Sequence, residues 1–217
     1  TYGGVFLSTD DGTSWSPVSP LTDPYVYALV ASGVNLFAGA DGGGVFLSTN
    51  NGTSWSAVNA GLTNTRVFAL AISGANLFVG TFGGGVFRST DNGTSWTAAS
   101  SGLTNTDVNA LAVSGTDLFA STAGGVFHST NNGTSWTATN TGLPPGTPVR
   151  FVAVSGSNLF AGTDGAGVFR SSNNGANWAA ASTGLANTVI WVLAVYGTNL
   201  FAGTNGDGIW RRPLSEM

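Results

Sequence analysis

Side chains able to do acid–base or nucleophilic chemistry are few in this chain and lie far apart. Glu216 is the one glutamate, and Asp41, Asp107, Asp117, Asp164 and Asp207 are scattered along the sequence. Glycoside hydrolysis generally needs two placed carboxyls. Asp41 and Asp164 are the pair to consider, because they occupy equivalent loop positions, yet nothing else beside them supports catalysis. His128 is the sole histidine. With no Ser or Cys paired to it and no third group to orient it, it reads as a strand residue on a solvated or half-buried face. Cysteine is absent, which excludes disulfides and thiolate metal ligands. Asp10-Asp11-Gly12 is compact and oxygen-rich, but calcium takes about six to eight oxygens, usually from several carboxylates. Three of the five copies of this segment carry Asn at the first acidic position. No catalytic residue, metal site or cofactor is therefore expected.

Those copies belong to a repeat. The phrase Ser-x-Asp/Asn-x-Gly-x-x-Trp recurs with Asp10, Gly12 and Trp15; Asn50, Gly52 and Trp55; Asp91, Gly93 and Trp96; Asn131, Gly133 and Trp136; and Asn173, Gly175 and Trp178. A Val-Phe pair precedes each phrase, at Val5, Val45, Val86, Val126 and Val168, with Ile209-Trp210 as a sixth version, spaced by 40, 41, 40, 42 and 41 residues. In one copy, Val67 to Ile72, Leu77 to Gly80, Val86 to Ser89 and Trp96 to Ser100 are short runs of β-branched and aromatic residues between Gly, Asn and Ser turns. Each copy thus predicts four antiparallel strands, A to D. A period near 40 with four strands is the signature of a propeller blade. The expected fold is an all-β propeller in a single domain, 1-217. Its repeats run approximately 1-25 (partial), 26-66, 67-107, 108-148, 149-189 and 190-217 (partial). Twenty-one strands are expected where five blades need 20. Ring closure between the N- and C-terminal strands then asks either Trp15 to Val18 to complete the last blade, or the Val5 to Val18 hairpin to displace the Ile209 strand. A truncated six-bladed ring is the alternative.

The box Ser-Thr-Asp10-Asp11-Gly12-Thr-Ser-Trp15 resembles the Asp-box, or BNR repeat, of sialidases and of many non-enzymatic propellers, including photosystem assembly factors of the Ycf48 type. The resemblance extends over all five copies. It implies a structural turn between strands C and D, in which the Asp or Asn oxygen accepts main-chain N–H bonds and the glycine takes a positive φ. It also implies, for a sialidase, an arginine triad and a tyrosine nucleophile paired with glutamate. With Glu216 in the tail, that set is not assembled here, and the chain is expected not to be an enzyme.

Differences between the copies point to a second face. The A to B turns and the boxes barely change, and in an antiparallel blade they share one edge. The opposite edge carries the D to A and B to C loops. There the second position of strand A holds Tyr27, Phe68, Asn109, Arg150 and Trp191, with Arg66 and Asp107 two residues before two of them. The B to C column holds Tyr2, Asp41, Phe82, Ala123, Asp164 and Asn205. Strand A lines the channel of a propeller, so these side chains are expected to ring a funnel mouth. Aromatics, Arg and Asn on a concave rim form a recognition surface, and exposed Trp191, Phe68 and Phe82 are costly unless covered. Packing onto the core beneath explains them equally well. The column Leu7, Leu47, Arg88, His128, Arg170 and Arg211 lies mid-strand and reads as structural.

Only 7% of residues are charged and the net charge is −4, a poor match for a polyanion, so nucleic acid is not an expected partner. No run approaches the roughly 20 apolar residues of a membrane span. A composition rich in Gly, Ser, Thr and Asn suggests a secreted or cell-surface protein of bacterial type, as a processed chain or excised piece. The expected role is a monomeric, non-catalytic binding or scaffold propeller for a protein or carbohydrate ligand. A purely structural or designed repeat is the alternative, and a glycoside hydrolase the least favoured.

Overall fold

The computed structural model describes residues 3–18, 21, 23 and 25–217, and they fold as β-strands with one terminal 3-10 turn, Leu214–Glu216. Two compact units divide the chain, Thr1–Ala99 and Ser100–Met217. In the first, β1 (Phe6–Leu7) and β2 (Ser16–Pro17) form a two-stranded hairpin. Two four-stranded antiparallel sheets follow in chain order, β3 (Val26–Ser32), β4 (Asn35–Ala40), β5 (Gly44–Ser48), β6 (Ser56–Ala57), then β7 (Val67–Ser73), β8 (Asn76–Thr81), β9 (Gly85–Ser89), β10 (Thr97–Ala98). In the second unit, β11 (Val108–Ser114), β12 (Asp117–Thr122), β13 (Gly125–Ser129) and β14 (Thr137–Ala138) form one such sheet. β15 (Val149–Ser155), β16 (Asn158–Thr163), β17 (Val168–Ser171) and β18 (Ala179–Ala180) form the next. A three-stranded sheet of β19 (Ile190–Tyr196), β20 (Asn199–Thr204) and β21 (Ile209–Pro213) ends the unit.

The fold is thus an all-β propeller built from four-stranded antiparallel blades, with two corrections to the sequence reading. Strand D shrinks from the expected Trp96 to Ser100 to two residues, Thr97–Ala98, because the tryptophan before it turns away to a different partner. The surplus strand is also not resolved by exchange. β21 is fully paired with β20, Phe201 opposite Arg211 and Ala202 opposite Trp210, so the Val5 to Val18 hairpin does not displace it. β2 pairs with β1, Phe6 opposite Pro17, as an outer hairpin of its own.

Alternation along each strand fills the core. Strand B contributes Phe37, Phe78, Phe119 and Phe160, strand C Val45, Val86, Val126 and Val168, and strand A Val67, Val108, Val149 and Ile190, all essentially buried. Within a unit, strand A of one sheet packs on strands A and B of the sheet before it: β7 against β3 and β4, β15 against β11 and β12, β19 against β15 and β16. Glycine sits at the contact. A Cβ on Gly39 would run into Val67, and one on Gly162 into Ile190, so these glycines set how closely neighbouring sheets approach.

The box closes each outer hairpin by a fixed set of bonds. In the first copy Ser8 Oγ donates to Asp10 Oδ1 (2.8 Å) and accepts from Gly12 N–H (2.8 Å), while Asp10 Oδ1 accepts from Ser14 N–H (2.9 Å). The glycine takes the expected positive φ, but so does the residue before it: Asp11, Asn51, Asn92, Asn132 and Asn174 all lie near +55°. Asp and Asn visit this left-handed region more readily than other side chains, which accounts for their presence there. Ser14 and Ser95, through hydroxyl and N–H, hold the carboxyls of Asp10 and Asp91 down at about 2.

Candidate functional site

Every strand A begins with an irregularity. Pairing with strand B shifts register between Val26 and Ala28, Val67 and Ala69, Val108 and Ala110, Val149 and Phe151, and Ile190 and Val192. The residue skipped is Tyr27, Phe68, Asn109, Arg150 or Trp191, the most variable position of the repeat. A bulge leaves its extra residue out of the ladder and re-aims its side chain. The position by which the copies differ is therefore the one the backbone releases from sheet packing.

In the first unit, this edge gathers five of the residues singled out by the sequence. Tyr27 and Phe68 stack with ring centroids 4.6 Å apart and planes 9° apart, and Phe82 leans on Phe68 at 5.7 Å. The Arg66 guanidinium lies over the Phe82 ring at 4.6 Å, and its Nε donates to Asp41 Oδ1 at 2.8 Å, from one blade to the next. Tyr27 and Phe82 are exposed. Phe68, expected to be exposed, is half-buried, because the rings on either side cover it. The cluster thus covers part of its own apolar surface, while Tyr27 and Phe82 keep part of theirs exposed.

The second unit carries a tighter version. Arg150 Nη2 donates to Asp164 Oδ2 at 2.6 Å, and its guanidinium sits 4.3 Å from the centroid of the Trp191 ring. The Arg150 and Asp164 side chains are each 32% exposed and Trp191 is 52% exposed. Arg150 Nε is buried with no hydrogen-bond acceptor. Stacking on tryptophan and pairing with a carboxylate fix the planar fork, and a fork so fixed offers its remaining N–H groups in a set direction. Asn109 Nδ2 donates to Val149 O at 2.9 Å, spending one donor on the neighbouring blade. Asp107 and Asn205 do not join this cluster. Asp107 is half-buried, its N–H held by Asn105 Oδ1 (3.0 Å), and Asn205 stays exposed, accepting through its main-chain carbonyl from Asn187 Nδ2 (2.6 Å). Tyr2 falls outside the described residues.

The sequence reading missed the residues that hold these loops. Asn64 Oδ1 accepts from Arg66 N–H (3.0 Å) while its Nδ2 donates to Phe82 O (3.1 Å), tying the D to A loop to the B to C loop. Asn187 does the same for Val189 and Asn205. Asp23 accepts from the N–H groups of Tyr25 (2.9 Å) and Gly43 (2.8 Å). The signal was an Asn recurring in the Gly-Leu-x-Asn loop. His128, by contrast, is accounted for within its sheet: it stacks on Phe119 at 4.5 Å and its Nε2 lies 2.9 Å from Asp117 Oδ2. Among the described residues no helix is long and apolar enough to cross a membrane.

Solved structures resembling the chain share the fold at low identity. An ancestral GH74 enzyme matches with a TM-score of 0.78 at 22% identity, covering 97% of this chain and 33% of that one. The extracellular domain of a protein described as a hybrid two-component system from B. thetaiotaomicron matches at 0.80 and 18%, covering 97% and 30%. YCF48 bound to D1 peptide matches at 0.71 and 17%, covering 96% and 73%. The chain spans about a third of the length of the first two. No curated protein matches. A family model does match, over residues 37–146 and again, in an overlapping stretch, over 63–182. Between them these matches take in two thirds of a chain already seen to be a run of propeller blades, and the protein belongs to the DUF6242 β-propeller domain family.

Proposed function

We propose that this chain is a non-catalytic propeller of the Asp-box type, which binds an extended peptide segment of a partner protein across the edge that carries the D to A and B to C loops. The observation that carries the reading is the Arg150 fork, pinned by Asp164 and stacked on the ring of the exposed Trp191. A rigid cation beside an exposed aromatic is the composition of a protein-interaction hot spot. The Arg66, Phe82 and Tyr27 group of the first unit repeats that chemistry. YCF48, which shares this fold, is solved bound to D1 peptide, which supports a peptide as the first ligand to try. A secreted or cell-surface setting fits the sensor extracellular domain among the similar structures.

Catalysis is not proposed. Asp41 and Asp164 are each engaged by an arginine, and among the described residues neither cluster sets a second carboxylate opposite its aspartate, as acid and base roles require. A glycan is the second reading, favoured by the exposed ring of Trp191, which can stack on a sugar face. The test is a peptide array and a glycan array probed with the intact chain, followed by titration of the best hit against Trp191→Ala and Arg150→Ala. Loss of roughly tenfold or more in affinity for either variant is expected for a hot-spot residue. Full affinity in both would sink the assignment of this edge.

A further inference from the structure

Four of the five boxes spell Asn-Gly, at Asn51-Gly52, Asn92-Gly93, Asn132-Gly133 and Asn174-Gly175, and the first spells Asp11-Gly12. Asn-Gly is the pair at which a chain most readily loses a side-chain amide. The glycine nitrogen, once base has taken its proton, attacks the asparagine Cγ. The new N–Cγ bond closes a cyclic imide, and the carboxamide nitrogen leaves as ammonia. Water then opens the ring at either carbonyl, giving aspartate or its isomer linked through Cγ. Glycine favours the attack because it has no Cβ to crowd the nitrogen. Water and hydroxide are the only reactants besides the chain.

The folded boxes hold the two partners of that reaction apart. Each glycine N–H donates to the hydroxyl of the box serine: Gly52 to Ser48 (2.9 Å), Gly93 to Ser89 (2.8 Å), Gly133 to Ser129 (3.0 Å) and Gly175 to Ser171 (3.0 Å). These serines and glycines are buried, so taking the proton breaks a bond and leaves a charge in a buried place. The four asparagines are exposed, but their φ angles are +54° to +56°. In this left-handed region the nitrogen of the next residue stands nearly opposite Cβ across the Cα–C bond. The carboxamide carbon is then out of reach of it in every rotamer.

The first box shows how the turn receives the product. Asp11 has a φ of +56°, and Gly12 N–H still donates to Ser8 Oγ at 2.8 Å. Aspartate thus fits where asparagine stands in the other four. The isomer does not. It routes the main chain through Cγ and lengthens it by a carbon, within the four-residue span that the bond from Gly93 to Ser89 closes.

We propose that Asn51, Asn92, Asn132 and Asn174 are deamidation sites gated by their own hairpins. Closed, the box blocks the ring through its serine bond and its left-handed turn. Open, it releases the glycine N–H and lets the asparagine swing its carboxamide carbon onto it. Each opening feeds a one-way change, which leaves a new carboxylate at the box and, in the isomer, a hairpin that does not reclose. The box therefore has two tasks: it fixes the turn, and it protects the Asn-Gly pair that the turn calls for. The site owes nothing to the Arg150 and Trp191 edge, and the two readings stand or fall separately.

Peptide mapping by mass spectrometry tests it, on the intact chain held at mildly alkaline pH, folded and in urea, with hydrogen exchange of Gly93 N–H followed by NMR. That group is both the exchanging amide and the nucleophile. Deamidation at the four sites is expected to be at least roughly a hundredfold slower in the folded chain than in the unfolded one, as local opening of a packed hairpin implies. It should rise in sub-denaturing urea in step with exchange at Gly93. Ser89→Ala removes the acceptor of a buried N–H and should speed the loss at Asn92 roughly tenfold, while Asn132, in the other unit, keeps the parent rate. If that variant fails to fold, Asn132 speeds up as well, and the urea series on the parent decides. The proposal is overturned if folded and unfolded chains lose the amides at one rate, if Asn92 in folded Ser89→Ala keeps the parent rate, or if urea speeds exchange at Gly93 without speeding deamidation at Asn92.

Discussion

Gly142 and Gly184 offer a matched pair of perturbations in one unit. Both have positive φ, +93° and +84°, so replacement by alanine incurs the same left-handed penalty at each, about 1–2 kcal/mol. They differ in what the new methyl meets. At Gly142 it collides with the main-chain carbonyl of Trp178, and at Gly184 it enters open space. Relief of the collision moves Trp178 off its seat, which breaks the bond from Trp178 N–H to Thr141 O and the bond from its indole to Thr139 O. Each bond is worth about 1 kcal/mol net. Gly142→Ala is therefore expected to cost about 3–4 kcal/mol and Gly184→Ala about 1–2 kcal/mol. At roughly 2–4 °C per kcal/mol for a chain of this size, the melting temperatures should differ by about 4–8 °C. Urea and thermal unfolding, followed by circular dichroism at a concentration where the chain is monomeric, would measure both. Equal losses would refute the reasoning, because the seat of Trp178 would then place no demand on the glycine below it.

Three further outcomes are expected. Asn140→Ala removes the acceptor of Val126 N–H (2.7 Å) and the donor to Gly124 O (3.1 Å), and should destabilise by about 1–3 kcal/mol, with faster amide exchange at Val126 as the specific readout. Phe78→Ala, in a fully buried site, should cost about 3–5 kcal/mol, whereas Arg66→Ala, which breaks an exposed ion pair, should cost less than about 1 kcal/mol in the same denaturant titration. The carboxyls of Asp10 and Asp91 ionise at about 2 in the folded chain against an ordinary 3.8. Their contribution is present above 3.8 and is lost as the pH falls through the window toward 2. A melting-temperature profile should show that loss for the parent and a shallower fall for the double variant Asp10→Asn, Asp91→Asn, since three other boxes already work with Asn.

How much of this was legible in the sequence depends on the range of each interaction. The strands and the box were readable because Val86-Phe87, Asp91 and Gly93 act on neighbours a few residues away. The second left-handed residue, Asn92, was not read, because a turn with two consecutive positive φ angles leaves the same Asn-Gly spelling as one with a single such angle. Trp96 is buried in the core, but its indole bonds to Val58 O, 38 residues earlier, a partner that period and propensity do not name. For the site, comparison of repeats found Arg150 and Trp191 because variation within one chain marks positions that the scaffold does not dictate. It could not find that each is a bulge, since a bulge is a property of the pairing between strands. Nor could it separate Asp164, which meets Arg150, from Asn205 in the same column, which meets no member of that cluster through its side chain.

The glycines of strand B carry a last consequence. Gly39 and Gly162 meet Val67 and Ile190 of the next sheet at a distance where one extra carbon does not fit. Of the two repeats between them, one has Gly80 at the same place and the other Ser121, buried, with its Oγ 3.5 Å from Ala110 O. The angle at which one blade follows another is thus written at a single small residue per repeat, like the pitch of a thread cut one notch at a time. Copying a repeat copies its notch, so the curvature of the array is inherited with each duplication and can be retuned by one substitution without redesigning either blade.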